Sequence, residues 1–354
     1  MIKKQHMLFK GTFVFFLLVS IQFLSGCIDD YQGIESIPET AEILLLSNRD
    51  TGDNRKEIYS LDLNESSLKR ITYSNVHHFL IGIDSQKRYI VAARAVDDTH
   101  MPKGLGDEDD KSLWVIDLQT GEELRLNEEG TIAEGKSFSS DSEWIVFWMQ
   151  KNASIASNIY KTRKDGSELT QLTNTTDSFE FDPVWSKDGE SIVFTCYNHN
   201  IGRSVLKKMD AEGSNVIFVY DGGEGVTTLL FPPGNYDPSW SPDGNWIVFD
   251  RTVRFNEEIG GENGGAGVWH IFKVRSDGTD VLNLSKENNQ QNAANYLPSF
   301  SSNGSQIVFS SRYGMADPKI VKIDLFLIDD HGGSLRKLTN SENSIYYDMG
   351  IWLD

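Results

Sequence analysis

A chain of 354 residues with 52 acidic and 33 basic side chains carries a formal charge of −19. A surface that acidic repels phosphate backbones and anionic headgroups, which excludes binding to nucleic acid or to an anionic lipid face through a broad basic patch. Only Cys27 and Cys196 are present, so no framework of disulfides staples the fold.

In chain order the first element is a targeting segment. Lys3, Lys4 and Lys10 form a basic head, and Phe13 to Leu24 is an apolar run too short for a comfortable membrane span. It ends in Leu24-Ser25-Gly26-Cys27, which resembles the lipobox of prokaryotic lipoproteins. That resemblance implies cleavage after residue 26 and lipidation of Cys27, which places the rest outside the cytoplasmic membrane, in the periplasm or at the cell surface. Residues 27–41 are polar and aperiodic, as a linker from anchor to fold would be.

From residue 42 onward the chain is repetitive. Asp237-Pro238-Ser239-Trp240-Ser241-Pro242-Asp243-Gly244 followed by Trp246-Ile247-Val248-Phe249 predicts a strand, a tight turn and a second strand, here called A and B. Worn or close copies begin near Leu80, Gly135, Asp182 and Leu297. A second unit, a hairpin of strands C and D around a Gly- or Asn-bearing turn, starts at Glu57, Ser112, Asn158, Val205, His270 and Asp324. Equivalent strand-A positions are Ile83, Phe138, Trp185, Trp240, Phe300 and Trp352, at a period of roughly 50 residues, which is that of a propeller blade. There are six C-D hairpins but five complete A-B pairs. The chain ends in an A strand without a successor (Gly350-Ile351-Trp352-Leu353) and begins with a B strand without a predecessor (Glu42 to Ser47). The expectation is an all-β, six-bladed propeller of four-stranded antiparallel blades over residues 42–354, its ring closed by joining the N- and C-terminal strands in one blade.

Asp182-Pro183-Val184-Trp185-Ser186-Lys187-Asp188-Gly189 and its counterpart at Asp237, with Asp165-Gly166-Ser167 and Leu169-Thr170-Gln171-Leu172-Thr173, resemble the repeats of the TolB-like propeller family. The resemblance covers nearly all of residues 42–354 and implies that same six-bladed fold in an exported protein. Members of the TolB type have a separate α/β domain ahead of the propeller, whereas this sequence has the lipidation signal and a linker there.

Antiparallel blades put the A-B and C-D turns on one face and the B-C and D-A connections on the other. The first set is short throughout; the second holds long segments such as Val96 to Lys111 and Thr252 to Gly267, which marks it as the expected binding face. Met101, Tyr236, Arg254, Phe255 and Tyr313 are its candidate contact residues, being of the types that anchor interfaces. Asp107, Asp109 and Asp110 in one connection, and Asp182 and Asp237 at strand A, are the groups that could hold a Ca²⁺ ion; an Asp before Pro is otherwise a turn cap. No other cofactor is expected. Gly130 to Ser137 fits a phosphate-binding loop, but a β hairpin follows where that loop needs a helix. No catalytic residue is assigned, since neither G-x-S-x-G nor H-E-x-x-H occurs. The sequence therefore points to a monomeric, membrane-tethered scaffold that binds an envelope protein or glycan through the long-loop face. The alternative is a propeller enzyme, a glycan lyase or hydrolase, with its site at the central channel mouth.

Overall fold

The computed structural model describes residues 33–52, 55–74, 76–95, 111–151, 156–223, 233–255, 267–286, 293–314, 321–342 and 345–353. They belong to a compact unit running from Gln32 to Asp354; residues 1–31 form a separate unit outside the described residues. No helix occurs among the described residues, and the chain is all-β.

Five repeats each supply four consecutive antiparallel strands. In repeat 1, His77–Ile83, Tyr89–Ala95, Ser112–Asp117 and Glu123–Arg125 serve as A to D; in repeat 2 they are Ile132–Phe138, Trp144–Gln150, Asn158–Arg163 and Thr170–Gln171. Repeat 3 comprises Ser178–Trp185, Ser191–Asn198, Arg203–Asp210 and Ile217–Tyr220. Repeat 4 (Asn235–Trp240, Trp246–Phe255, Gly267–Arg275, Leu282–Asn283) and repeat 5 (Ala294–Phe300, Gln306–Tyr313, Lys322–Asp329, Arg336–Lys337) are linked by one parallel bridge, Trp269 to Ala294. A composite sheet pairs Tyr347–Trp352 with Ile43–Ser47, then Glu57–Asp62 and Ser67–Arg70. Ile43 lies opposite Trp352 there, as Ile307 lies opposite Phe300 in repeat 5.

The Ile-Val-Phe run of strand B is apolar at every position because both of its faces are covered. Ile192 and Phe194 pack with Val146 and Ile159 of repeat 2, whereas Val193 between them packs with Trp240 and Phe249 of repeat 4. The core therefore lies between neighbouring sheets. Phe147, Phe194, Phe249 and Phe309 are at most 2% exposed, and each such burial stabilises the fold by roughly 1.5–3 kcal/mol.

The A-B turn follows from its sequence with equal directness. Ser241 Oγ donates to Asp243 Oδ1 at 2.5 Å and accepts the Trp246 amide at 2.9 Å, while Asp243 Oδ1 accepts the Asn245 amide. Gly244 supplies the left-handed residue at φ 69°. Ser186 with Asp188, Ser139 with Asp141 and Ser301 with Asn303 repeat the arrangement. One feature was not legible in the repeat: each strand A carries a β-bulge, at 181/184, 236/239 and 296/299 among others. Asp182, Asp237, Leu297 and Met349 sit at its first position with φ between 50° and 54°, a region that costs a non-glycine residue about 1 kcal/mol or more.

Candidate functional site

The strands A converge. Lys136 of repeat 2 approaches Asp237 of repeat 4, with Nζ 3.7 Å from Oδ1, across the strand of repeat 3 between them. On the A-B turn side of this meeting point lies a cavity of about 290 Å³ to which all five repeats and the composite sheet contribute. Phe138, Trp185, Trp240, Phe300 and Trp352 form its collar, and their rings are wedged between sheets; Trp240 Nε1, for instance, donates to Val184 O at 3.1 Å. Ser137, Ser239 and Ser299 supply small polar walls, and Lys136 and Lys187 the cationic groups.

Behind the cavity is a layer of carboxyl groups, Asp182 and Asp237 half-buried and Asp250 fully buried. The bulge turns Asp182 and Asp237 inward, and Asp250 joins them from strand B of repeat 4. Asp182 accepts the Asp237 amide, and Asp250 Oδ1 accepts the Leu297 amide at 3.3 Å, so each carboxyl ties its strand to the next bulge. Asp250 is fully buried, and its Oδ2 has no hydrogen-bond partner. Burial first, and then the neighbouring Asp237 charge, pushes Asp182 and Asp250 well above the usual carboxylate range. Burial raises Asp237 as well, against the pull of Lys136. Three carboxyls facing one ammonium oppose one another's ionisation, so this layer keeps its protons to higher pH than separate carboxyls do. Asp348 differs: burial pushes it up, but Lys56 Nζ at 2.6 Å, with Ser310 and Tyr296, holds it below the ordinary range.

The sequence-based candidates fare unequally. Asp182 and Asp237 do come together, but the positive charge beside Asp237 is Lys136, and no group of three metal-ligating side chains among the described residues is arranged to hold a cation. Tyr236, 4% exposed, stacks between Phe181 (5.8 Å) and Trp269 (5.3 Å) and is a packing residue, since its ring is shut away from any rim contact. Tyr313 donates from its hydroxyl to Asp324 Oδ2 at 2.5 Å and accepts from Lys337 Nζ at 2.7 Å, which ties it to its own sheet. Arg254 is exposed near the end of its strand. Phe255 pairs through its backbone with Gly267, and its side chain lies outside the described residues, as do Cys27, Met101, Asp107, Asp109 and Asp110. Missed altogether were Lys136 and Asp250. Lys136 replaces the proline of the Asp-Pro pair in its repeat, and Asp250 stands where Thr195 and Ser310 follow Ile-Val-Phe in repeats 3 and 5; those departures were the signal.

No family model matches the chain. Over 147 residues it is 28% identical to an uncharacterized protein of Agrobacterium fabrum, a match spanning 39% of this chain and 46% of that relative's length. Among solved structures, TolB from Acinetobacter baumannii superposes with a TM-score of 0.63 at 16% identity, covering 89% of this chain and 67% of that one. A putative TolB from Agrobacterium tumefaciens gives 0.58 at 16% identity, with 88% and 98% covered. An oligogalacturonate lyase in complex with manganese gives 0.55 at 14%, with 87% and 76% covered. At such identities the likeness is one of fold, and that fold is the TolB-like β-propeller.

Proposed function

We propose that this TolB-like propeller is six-bladed, closed through the composite sheet, tethered outside the cytoplasmic membrane by lipidated Cys27, and works as a scaffold that takes a protein segment or glycan at its axial mouth. The observation that carries the reading is the cavity itself: a concave site walled by every repeat, with an aromatic collar, serines and two lysines. It lies at the A-B turn end, opposite the B-C and D-A connections that sequence length alone favours, and its walls stand on strands rather than on loops. The enzyme alternative draws on the upward-shifted carboxyl layer, because a carboxyl that keeps its proton to higher pH is better suited to act as a general acid.

The test is affinity capture from solubilised envelope, with residues 28–354 as bait. Two variants accompany it: Ser239→Trp, which plugs the mouth, and one with residues 97–110 and 256–266 replaced by short Gly-Ser links. A partner retained by the parent and the loop variant but lost by Ser239→Trp supports the axial reading. A partner lost only by the loop variant moves the site to the opposite face. If nothing is retained, the scaffold reading fails and turnover of acidic oligosaccharides is the next assay.

A further inference from the structure

A groove of about 600 Å³ lies between repeat 1 and a small two-stranded sheet that pairs Gly33–Ile34 with Thr72–Tyr73, remote from the axial mouth in its lining. Beside it strand B of repeat 1 departs from the other repeats. Four repeats place Phe147, Phe194, Phe249 and Phe309 at one position of strand B, against the preceding sheet; in repeat 1 that position is Ala92. Two residues on, Arg94 holds the position of Arg251. The Arg251 guanidinium is covered: it donates to Asn235 Oδ1 at 2.9 Å and to the Gly222 carbonyl at 2.7 Å.

Arg94 is equally buried and lies over the Trp114 ring, but one of its donors is unmet. Its two terminal nitrogens donate to the Glu123 carboxylate at 2.8 and 2.7 Å, while Nε is buried with no hydrogen-bond partner. His78, fully buried, lines the same groove with Nδ1 unpartnered and Nε2 3.2 Å from Ser74 Oγ. A buried polar atom without a partner costs roughly 1–3 kcal/mol, so the Arg94 Nε donor and the His78 Nδ1 acceptor, left when Nε2–H donates to Ser74 Oγ, are an unmet demand that a polar ligand can satisfy. One wall is Thr72, Tyr73 and Ser74; the other is the exposed turn bearing Gln119 and Thr120. The charges cancel in pairs, Arg94 with Glu123 and Arg70 with Glu57 at 3.2 Å. Arg70 covers one face of the Tyr73 ring, 4.5 Å from its centroid.

We propose that this groove binds a neutral saccharide of two or three rings. The volume falls within the usual range for small-molecule sites. Balanced charge disfavours a net ionic ligand, whereas a polyhydroxylated one can pair with Arg94 Nε, the imidazole, the amide of Gln119 and the hydroxyls while lying beside the tyrosine ring. Ser74, His78 and Glu57 do not form a nucleophilic triad: Glu57 accepts from Ser74 Oγ itself at 3.1 Å, and the imidazole Nδ1 has no carboxylate to orient it.

The experiment is titration calorimetry of the full chain with chitobiose, cellobiose and maltotriose, up to about 10 mM each, since single sugar sites are often no tighter than the millimolar range. Saturable binding of at least one probe is expected, weakened about tenfold by the exposed double variant Gln119→Ala/Thr120→Ala, abolished by Arg94→Met, and unchanged in Ser239→Trp. The double variant alters only exposed turn side chains, so it decides the matter even if Arg94→Met fails to fold. No binding of any probe by the folded parent, equal binding by the double variant, or loss in Ser239→Trp each overturns the proposal; the last would assign the sugar to the axial mouth instead.

Discussion

Asp250 makes one contribution to the pH dependence of stability. Its carboxyl is fully buried and shifted upward by burial and by Asp237, so the folded state binds a proton that the unfolded state releases just above the ordinary Asp range. Its contribution is therefore complete below the unfolded pKa and declines as pH rises through the folded one. Asp250→Asn removes that proton linkage while keeping the shape. Thermal melts from pH 4 to 9 should show the parent losing stability relative to the variant as pH increases; parallel curves would mean that Asp250 is ionised throughout. Asp117 works in the opposite sense. Its hydrogen bond to Arg88 lowers it to about 2, so its stabilisation is present above the ordinary Asp range and fades as pH falls towards 2. The sequence showed Asp182 and Asp237 because they recur before proline. It hid Asp250 and Lys136 because each looks like a single exception in a strand, and only convergence of the strands brings them together.

At the scale of the element, the repeat was readable for a physical reason. Strand B is buried on both faces and the A-B turn needs a Ser, an Asp or Asn and usually a Gly, so composition and spacing are both constrained. The bulge in strand A was not readable, since Asp, Leu and Met all occupy its left-handed position and no residue type announces it. Its tightness is testable at Gly82. A methyl there would lie 1.8 Å from the Lys136 carbonyl oxygen, a backbone atom that cannot rotate away. Gly82→Ala should lower the unfolding free energy by about 3 kcal/mol in urea titrations. A loss under about 0.5 kcal/mol would show that the neighbouring strand yields freely. A second element-level prediction concerns the composite sheet. Removing residues 345–354 leaves Ile43–Ser47 without its Tyr347–Trp352 partner and exposes Leu44 and Leu46. The truncated chain should unfold at lower urea with a shallower transition, read by tryptophan fluorescence, and an unchanged midpoint would show that the composite sheet contributes nothing to cooperativity.

For the whole molecule, the fold could be read in outline because one unit recurs, whereas the ligand could not, because binding uses the residues in which the units differ. Arg94, which lines the groove, illustrates this: the equivalent positions of the other repeats hold Met149, Cys196, Arg251 and Ser311. The proposed tether would likewise be a property of the entire chain. Cys27→Ser should shift the protein from the membrane pellet to the soluble fraction and remove the mass of the lipid; retention in the pellet after a carbonate wash would refute the anchor at that position.

The pairing of Ile43 with Trp352 also imposes an order in time. A chain that emerges N-terminus first, from a ribosome or an export channel, presents the second partner roughly 300 residues after the first. Throughout that interval an Ile-Leu-Leu-Leu segment waits with one edge unsatisfied, and any other extended chain can take the place intended for the last strand. Premature occupation of that edge is the misfolding route to which this architecture is most open, and a factor that shields residues 43–47 until synthesis ends would raise the yield of native protein more than one acting on any internal repeat.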